Sequence, residues 1–541
     1  MNLSGRSIIG YQWGAEQGET LQGVNPSTGQ KLLPAYHSAS DEEVGQAVEL
    51  ARQAFGSYCR ASGRQKADFL RAIATNLEER VDDLAERGSQ ETGLPDGRIR
   101  METGRTCGQL RLFAGLVEEG SWVDARIDRA DPDRAPLPKP DLRSMLRPLG
   151  PVAVFCASNF PVAFSVAGGD TASALAAGNP VLVNAHFAHP GTSELAGTAI
   201  REAAQKCGLP EGVFSLLFGA GLRVGRQLVS HPHIRAVGFT GSRKGGRSLM
   251  DLAAARPEPI PVFAEMSSVN PVFLLPGALR QRSDQIAQGL CGSVTLGAGQ
   301  FCTNPGVVVL SKGPHADGFA RHLAEQMGGA SPATMLHQGI HQAYRQSLEG
   351  RSQNKSLELL AQSGSDLEDP ACQAGAALFR TDAASFLNDS SLADEIFGPS
   401  TLLVQAADRK ELLDIASALE GQLTATLHGT EEDLQKYSDL VEMLESKAGR
   451  LVFNGFPTGV EVCPAMVHGG PYPATSDGRS TSVGTRAIAR FCRPVCYQDF
   501  PSSAIPPELQ DGNPLGIWRL VDGHLRQDGS FRPSRKAAKR S

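Results

Sequence analysis

The chain is 541 residues long, 41% hydrophobic and 20% charged, with a formal net charge of −6. Its length predicts three or four folding units, and its apolar content excludes disorder by composition. The acidic balance excludes a global basic footprint for nucleic acid, and no run of about 18 uncharged apolar residues offers a membrane span.

Met1–Arg6 lacks the apolar run of a secretion signal, so a cytoplasmic location without a membrane partner is the expectation. Ten cysteines are scattered without a CxxC pair, which suits a reducing compartment and not a disulfide framework. Cys492 and Cys496 have loose metal-like spacing, but no second Cys/His pair accompanies them. Two ordinary thiols and no metal site are expected there.

Residues 40–90 read as two amphipathic helices. Ser40 and Glu43 have capping-box spacing, and Val44, Ala47, Val48, Ala51, Ala54 and Phe55 then share one helical face. Leu70, Ile73, Leu77, Val81 and Leu84 repeat the pattern, and a further helix is predicted near residues 98–119. The proline-rich stretch 131–140 predicts a linker or an extended ribbon. From residue 151, strand candidates Val152–Phe155, Val181–Val183, Val213–Phe218 and Val237–Thr240 alternate with helix candidates Val166–Ala177, Thr192–Lys206 and Arg247–Ala255. Such alternation predicts a parallel sheet with helices on its faces and a ligand at the carboxyl ends of the strands. A second α/β stretch begins near Pro261, with strands Val262–Ala264, Val272–Leu275 and Val307–Leu310 and a helix over about 279–296. The basic end Arg532–Ser541 reads as a solvated tail.

Cys302 follows Gly297-x-Gly299 and precedes Asn304-Pro305-Gly306, so it sits in a turn. A thiol presented there is either an exposed nucleophile or a buried small hydrophobe. Asn159 lies just beyond the strand Val152–Phe155, where its amide either donates to a developing oxyanion or belongs to a turn before proline. Glu265 ends the apolar run Pro261–Ala264. Desolvation there would raise its pKa and suit a general base; the alternative is a surface carboxylate at a strand end. Gly241 and Ser242 open a strand-to-helix loop able to receive a pyrophosphate, and Gly219–Gly221 forms a second such loop. Neither is a G-x-G-x-x-G fingerprint.

Phe239-Thr-Gly-Ser242, Gly299-Gln-Phe-Cys302 and Glu395-Ile-Phe-Gly-Pro399, with Asn159-Phe-Pro161 and Glu265, together resemble the aldehyde dehydrogenase superfamily over about residues 20–500. Ala264–Pro271, Ala185-His186 with His189–Glu194, and Ile505–Leu509 with Asn513–Trp518 look like its 2-oxoglutarate semialdehyde (2,5-dioxovalerate) branch. Long-chain NADP-dependent fatty aldehyde dehydrogenases are relatives of that branch.

The resemblance implies a Rossmann-like cofactor domain (1–130 and 151–262), an α/β catalytic domain (263–470) and a small β oligomerisation extension. In that extension 131–150 and 471–500 would pair across a subunit interface of a homodimer or dimer of dimers, leaving 501–541 as a C-terminal extension. Cys302 would attack the aldehyde, the Cys302 N–H and Asn159 would hold the oxyanion, and Glu265 would activate water for thioester hydrolysis. Asn184, His186, Arg223, Gly241, Ser242, Glu395 and Phe397 would bind NAD or NADP. Phe160 and Phe164 would line the substrate entrance, and Arg105 or Arg111 would bind a substrate carboxylate.

Two departures bear on the cofactor. Asn184 stands where the family usually has a lysine, which removes a cation, and Phe187 stands where a glutamate often excludes NADP. With Arg223 as a possible 2′-phosphate partner, the sequence leans toward NADP⁺. Three alternatives stay open: a broad-specificity or fatty aldehyde dehydrogenase, a CoA-acylating enzyme, and a non-catalytic protein on the same fold.

Overall fold

Short apolar strands flanked by amphipathic helices must bury both of their faces, and the chain does this in two separate α/β sheets. The computed structural model describes residues 2–364 and 372–528. The basic tail lies outside the described residues.

The first sheet has seven strands in the order Val262–Glu265, Ala236–Thr240, Val152–Phe155, Val181–Asn184, Phe214–Leu217, Ile8–Ile9 and Gln12–Trp13. The first five are parallel, and Ile8 adds antiparallel to Leu216. The order reverses beside Val152–Phe155, so the loops after that strand and its neighbours open a crevice at their carboxyl ends. The second sheet runs Glu358–Gln362, Ala377–Asp382, Ser400–Ala406, Val307–Ser311, Val272–Leu274, Gln422–His428 and Ala448–Phe453. The expected α/β class is therefore present, and among the described residues no helix is long and apolar enough to cross a membrane.

The N-terminal helices follow the sequence pattern with one difference. Ser40 caps the helix Asp41–Tyr58 through a capping box with Glu43, and Val44, Ala47, Val48, Ala51 and Ala54 are buried. The second pattern is two helices, Gly63–Glu78 and Val81–Thr92, because the chain turns at Glu79-Arg80 while the apolar spacing runs on. The alanine-rich helix Gly169–Ala177 ends as expected at Gly178, whose φ of 101° closes it in the left-handed conformation.

The ribbon departs from expectation. Leu142–Pro148 pairs antiparallel with Cys492–Gln498 of the same chain, so this pairing does not cross a subunit boundary. Segment 471–484 is not part of that ribbon. Its residues 474–476 run along Val262–Glu265, with Met266 N–H donating to Ala474 O at 2.8 Å and Ser476 N–H to Ala264 O at 2.9 Å. The C-terminal region is not a separate extension either. Arg519–Val521 and His524–Arg526 complete a five-stranded sheet with the ribbon, and Ile505, Leu509, Ile517 and Val521 share a core with Ile127 and Met145. Edge strands left unpaired are costly, and both additions use local chain to cover them.

One buried charge joins the helices to the first sheet's layer. Glu91, fully buried, accepts from the Gly191 N–H (2.7 Å), the Thr192 N–H (2.9 Å) and the Thr192 hydroxyl (2.8 Å) at the start of the helix Pro190–Lys206, and from Arg87 Nε (2.9 Å). Four donors repay the cost of burying it, and the helix N-terminus favours the negative charge. Glu91→Ala strands the Arg87 cation and the helix start together. The expected loss is about 3–5 kcal/mol of stability by urea denaturation, and a loss below about 1 kcal/mol would contradict this account.

Candidate active site

Three of the expected residues, Glu265, Asn159 and Ser242, reach one place because each lies at or just beyond the carboxyl end of a parallel strand. Glu265 closes Val262–Glu265, Asn159 follows Val152–Phe155, and Ser242 caps the helix Arg243–Ala254, its Oγ accepting from the Gly245 N–H at 3.2 Å. Asn184 closes Val181–Asn184. Cys302 comes from the second α/β unit, after the helix Pro276–Thr295 and a short 3₁₀ turn.

The Cys302 turn is held from three sides. Asn270, at φ 48°, donates from Nδ2 to the carbonyls of Cys302 and Asn304, each at 2.9 Å. Asn159 Nδ2 donates to Gln300 O at 3.0 Å, which places the amide beside the Cys302 turn. Gly299 adopts φ +65°, and a Cβ there would lie 2.3 Å from the Gly398 carbonyl. Only glycine lets this turn press against the Glu395–Pro399 motif.

The acid–base core contains two residues that the sequence reading missed. Glu265 Oε1 accepts from His468 Nε2 at 2.8 Å, and Glu265 Oε2 accepts from the Ser482 hydroxyl at 2.7 Å. His468 Nε2 also lies 3.5 Å from Cys302 Sγ. A carboxylate only accepts, so Nε2 carries a proton. His468 and Ser482 are themselves tied together, with the Ser482 N–H donating to His468 O at 2.8 Å.

These contacts correct the expected protonation of Glu265. Burial alone would push its carboxyl up, but the charge and hydrogen bond of His468, the Ser482 hydroxyl and the Cys302 thiol together hold it below its ordinary value. The Cys302 thiol moves the other way: burial first, and then the Glu265 charge, push it well above its ordinary value. The resting pair is thus a protonated thiol beside an ionised carboxylate. Burial also pushes the Glu395 carboxyl up to about 7, against the donors Ser267 and Ser268.

Cys302 stands between two cavities. The larger, of about 580 Å³, is lined by Asn159, His186, Gly241, Ser242, Glu265, Glu395 and Phe397 as well as Cys302. Its volume, the capped helix start and the Glu395 carboxyl fit a nicotinamide dinucleotide. The buried Asn184 Oδ1, which has no partner among the described residues, lies at the end of the neighbouring strand. Arg223 is not brought to this cavity. It pairs with Asp41 and the Ala39 carbonyl on the surface, because the helix Arg223–Ser230 packs against Asp41–Tyr58.

The smaller cavity, of about 250 Å³, is lined by Phe160, Phe164, Phe301 and Cys302 together with Arg98, Glu102 and Arg105. Arg98 Cζ sits 4.6 Å from the Phe160 ring centre and 4.9 Å from that of Phe301, and Arg105 Cζ sits 5.2 Å from that of Phe164. Arg98 Nη2 and Arg105 Nη1 are buried without a hydrogen-bond partner among the described residues. Arg111 is not brought here. It forms a bidentate pair with Glu78 at 2.5 Å on the exposed surface. The helix Asp96–Glu119 explains the split: seven residues from Arg98 to Arg105 return to nearly the same face, whereas six more to Arg111 turn about 240° away. That spacing was a legible signal for Arg98.

Comparison with known proteins agrees with this geometry. The model of the aldehyde dehydrogenase family matches residues 13–484. The chain is 52% identical to alpha-ketoglutaric semialdehyde dehydrogenase 2 of Azospirillum brasilense over 97% of this chain and 99% of that protein. It is 47% identical to alpha-ketoglutaric semialdehyde dehydrogenase of Acinetobacter baylyi over 97% of this chain and 99% of that one. A solved aldehyde dehydrogenase from Bacillus cereus, in complex with NAD⁺, shares the fold at 19% identity with a TM-score of 0.78, covering 91% of this chain and 96% of that chain. The chain belongs to the aldehyde dehydrogenase family.

Proposed function

We propose that this chain oxidises 2-oxoglutarate semialdehyde (2,5-dioxovalerate) to 2-oxoglutarate, with NAD⁺ or NADP⁺ as oxidant. The observation that carries this is the place of Cys302 as the shared wall of two cavities, one with Ser242 and Glu395, the other with two buried guanidiniums. The two curated relatives, named for the same semialdehyde, support the reading.

The chemistry follows from the contacts. Cys302 Sγ adds to the aldehyde carbon while Glu265 accepts the thiol proton. Asn159 Nδ2–H and the Cys302 N–H hold the oxygen that becomes an anion. A nicotinamide cofactor, when bound, supplies the hydride acceptor for the oxidation. The thioester left on Cys302 is then hydrolysed: Glu265, having released its proton, takes one from water, and the carboxylate product leaves the regenerated thiol. Ser482 and His468 keep Glu265 ionised for that step, which favours water over CoA as the acyl acceptor.

Arg98 and Arg105 face the entrance with one carboxylate, Glu102, between them, and Arg98 Nε lies 3.6 Å from Glu102 Oε2. Two cations against one anion suit a substrate carrying a carboxylate. Phe187 leaves a 2′-phosphate unopposed by a carboxylate, so the cofactor lean remains NADP⁺ although Arg223 is engaged elsewhere. Cys492–Gln498 is an edge strand of the small sheet and remains available for strand addition between subunits. A homodimer or dimer of dimers is the proposed assembly, and light scattering should return two or four times 57.3 kDa.

An aldehyde panel with both cofactors, read by absorbance of the reduced cofactor, tests the substrate reading. Arg98→Ala or Arg105→Ala should lower kcat/KM for 2,5-dioxovalerate about 10–100-fold, as for a lost charged hydrogen bond, and spare neutral aldehydes. Arg111→Ala should change neither. Equal losses on both substrate types would remove the carboxylate role. In the same assay a higher kcat/KM for NADP⁺ than for NAD⁺ is expected, and the reverse order would end the NADP⁺ lean. A stable product formed only when CoA is added would replace hydrolysis by acyl transfer.

His468 acts through Glu265, and pH separates that role from packing. Losing its charge and hydrogen bond should raise the Glu265 pKa, so His468→Phe should move the acid limb of the kcat/KM profile to higher pH. His468→Gln, which keeps a donor, should move it less. An unmoved limb with lower kcat would leave His468 a packing residue only.

A further inference from the structure

The same three side chains present another chemistry. Glu265, Cys302 and His468 each offer one ligand atom, and these atoms all lie within 4.8 Å of one another. Among the described residues no other group of three such ligands meets that condition. We propose that the cofactor-free enzyme binds a zinc ion through Cys302 Sγ, His468 Nε2 and Glu265 Oε1, and that this ion reversibly inhibits it.

The donor types and the spacing both fit. Zinc takes thiolate, imidazole and carboxylate ligands at about 2.3, 2.0–2.1 and 2.0–2.2 Å, so tetrahedral edges are about 3.6 Å for S···N and about 3.3 Å for N···O. The structure has 3.5 Å between Cys302 Sγ and His468 Nε2, and 2.8 Å between His468 Nε2 and Glu265 Oε1. The sulfur–imidazole edge is already in place, and the imidazole–carboxylate edge must open by about 0.5 Å. Ser482 holds the other carboxylate oxygen, Oε2, and so orients Oε1 toward the ion.

Charge and access agree. To bind the ion, Cys302 gives up its thiol proton and His468 its Nε2 proton, and the ring keeps its proton on Nδ1, a buried atom without a partner among the described residues. Thiolate and carboxylate then neutralise the two positive charges of the ion. Cys302 and Glu265 both face the 580 Å³ cavity, which provides an entry path and room for a water in the fourth position. The ion would occupy the sulfur that attacks and the carboxylate that takes its proton, so no oxidation proceeds while it is bound.

The test uses the full-length, chelator-treated protein without cofactor, and cobalt(II) as a visible stand-in for zinc. One equivalent of cobalt should produce a thiolate-to-cobalt absorption band, and zinc should displace it. Zinc should also suppress aldehyde oxidation, with full recovery on addition of EDTA. Cys302→Ser should abolish the band, and His468→Phe should weaken zinc binding by more than about tenfold. Arg111→Ala, whose side chain is tied to Glu78 on the surface, serves as a folded control with unchanged zinc affinity. No thiolate band in the unaltered protein, equal zinc affinity in His468→Phe, or a band without loss of activity would each overturn the proposal. The absorption reads binding without turnover, so its failure is distinguishable from failure of the oxidation reading.

Discussion

A carboxylate taken out of water stays ionised only where donors replace its hydration, and Glu265 is such a group. His468 and Ser482 each donate to one of its oxygens, and the Cys302 thiol adds a third contact. The arrangement settles two things together. It keeps a proton acceptor ready beside a sulfur that burial holds protonated, and it fixes the position of that acceptor relative to the sulfur. Without those donors a buried Glu265 would hold its own proton, and the proposed thiol activation and thioester hydrolysis would lose their base.

The fold is organised to deliver this contact from distant parts of the chain. Glu265 ends an edge strand of the first sheet. His468 and Ser482 arrive from a segment tied along that edge by backbone hydrogen bonds between Ala264–Met266 and Ala474–Ser476. Cys302 is carried by the second unit, and Asn270 binds its carbonyl from the loop immediately after Glu265. The linkage from Glu265 through Asn270 to Cys302 makes the meeting of the two units a matter of short covalent reach and buried hydrogen bonds. Gln422 secures the same loop, accepting from the N–H groups of Val269 (2.8 Å) and Asn270 (3.0 Å).

The two sides of Cys302 divide the work by polarity. The cofactor side offers a capped helix start and a carboxyl raised by burial, features that bind through backbone and hydroxyl groups. The substrate side is an aromatic slot whose cations lie over Phe160, Phe164 and Phe301. Guanidiniums over rings keep part of their hydrogen-bonding capacity unspent, as Arg98 Nη2 and Arg105 Nη1 show. The larger cavity thus supports the cofactor reading, and the smaller one supports the proposed carboxylate-bearing aldehyde.

Local rules were enough for much of this molecule. The capping box at Ser40, the glycine stop at Gly178, the alternation from residue 151 and the turn around Cys302 depend on neighbours a few residues apart, and these were legible in the sequence. The family resemblance grouped Cys302, Glu265 and Asn159, and the structure places all three on one cavity. Arg98 was legible in principle, seven residues before Arg105 on one helix face, whereas the engagement of Arg111 with Glu78 and of Arg223 with Asp41 was not. Those pairs join residues 33 and 182 positions apart. Only the tertiary structure decided that His468, 203 positions from Glu265, would hold its carboxylate and reverse the pKa shift that burial alone implies. It likewise decided that the ribbon pairs within one chain. Hydrophobic period and turn chemistry are local properties of a sequence; the partner of a buried charge is chosen by how the whole chain packs.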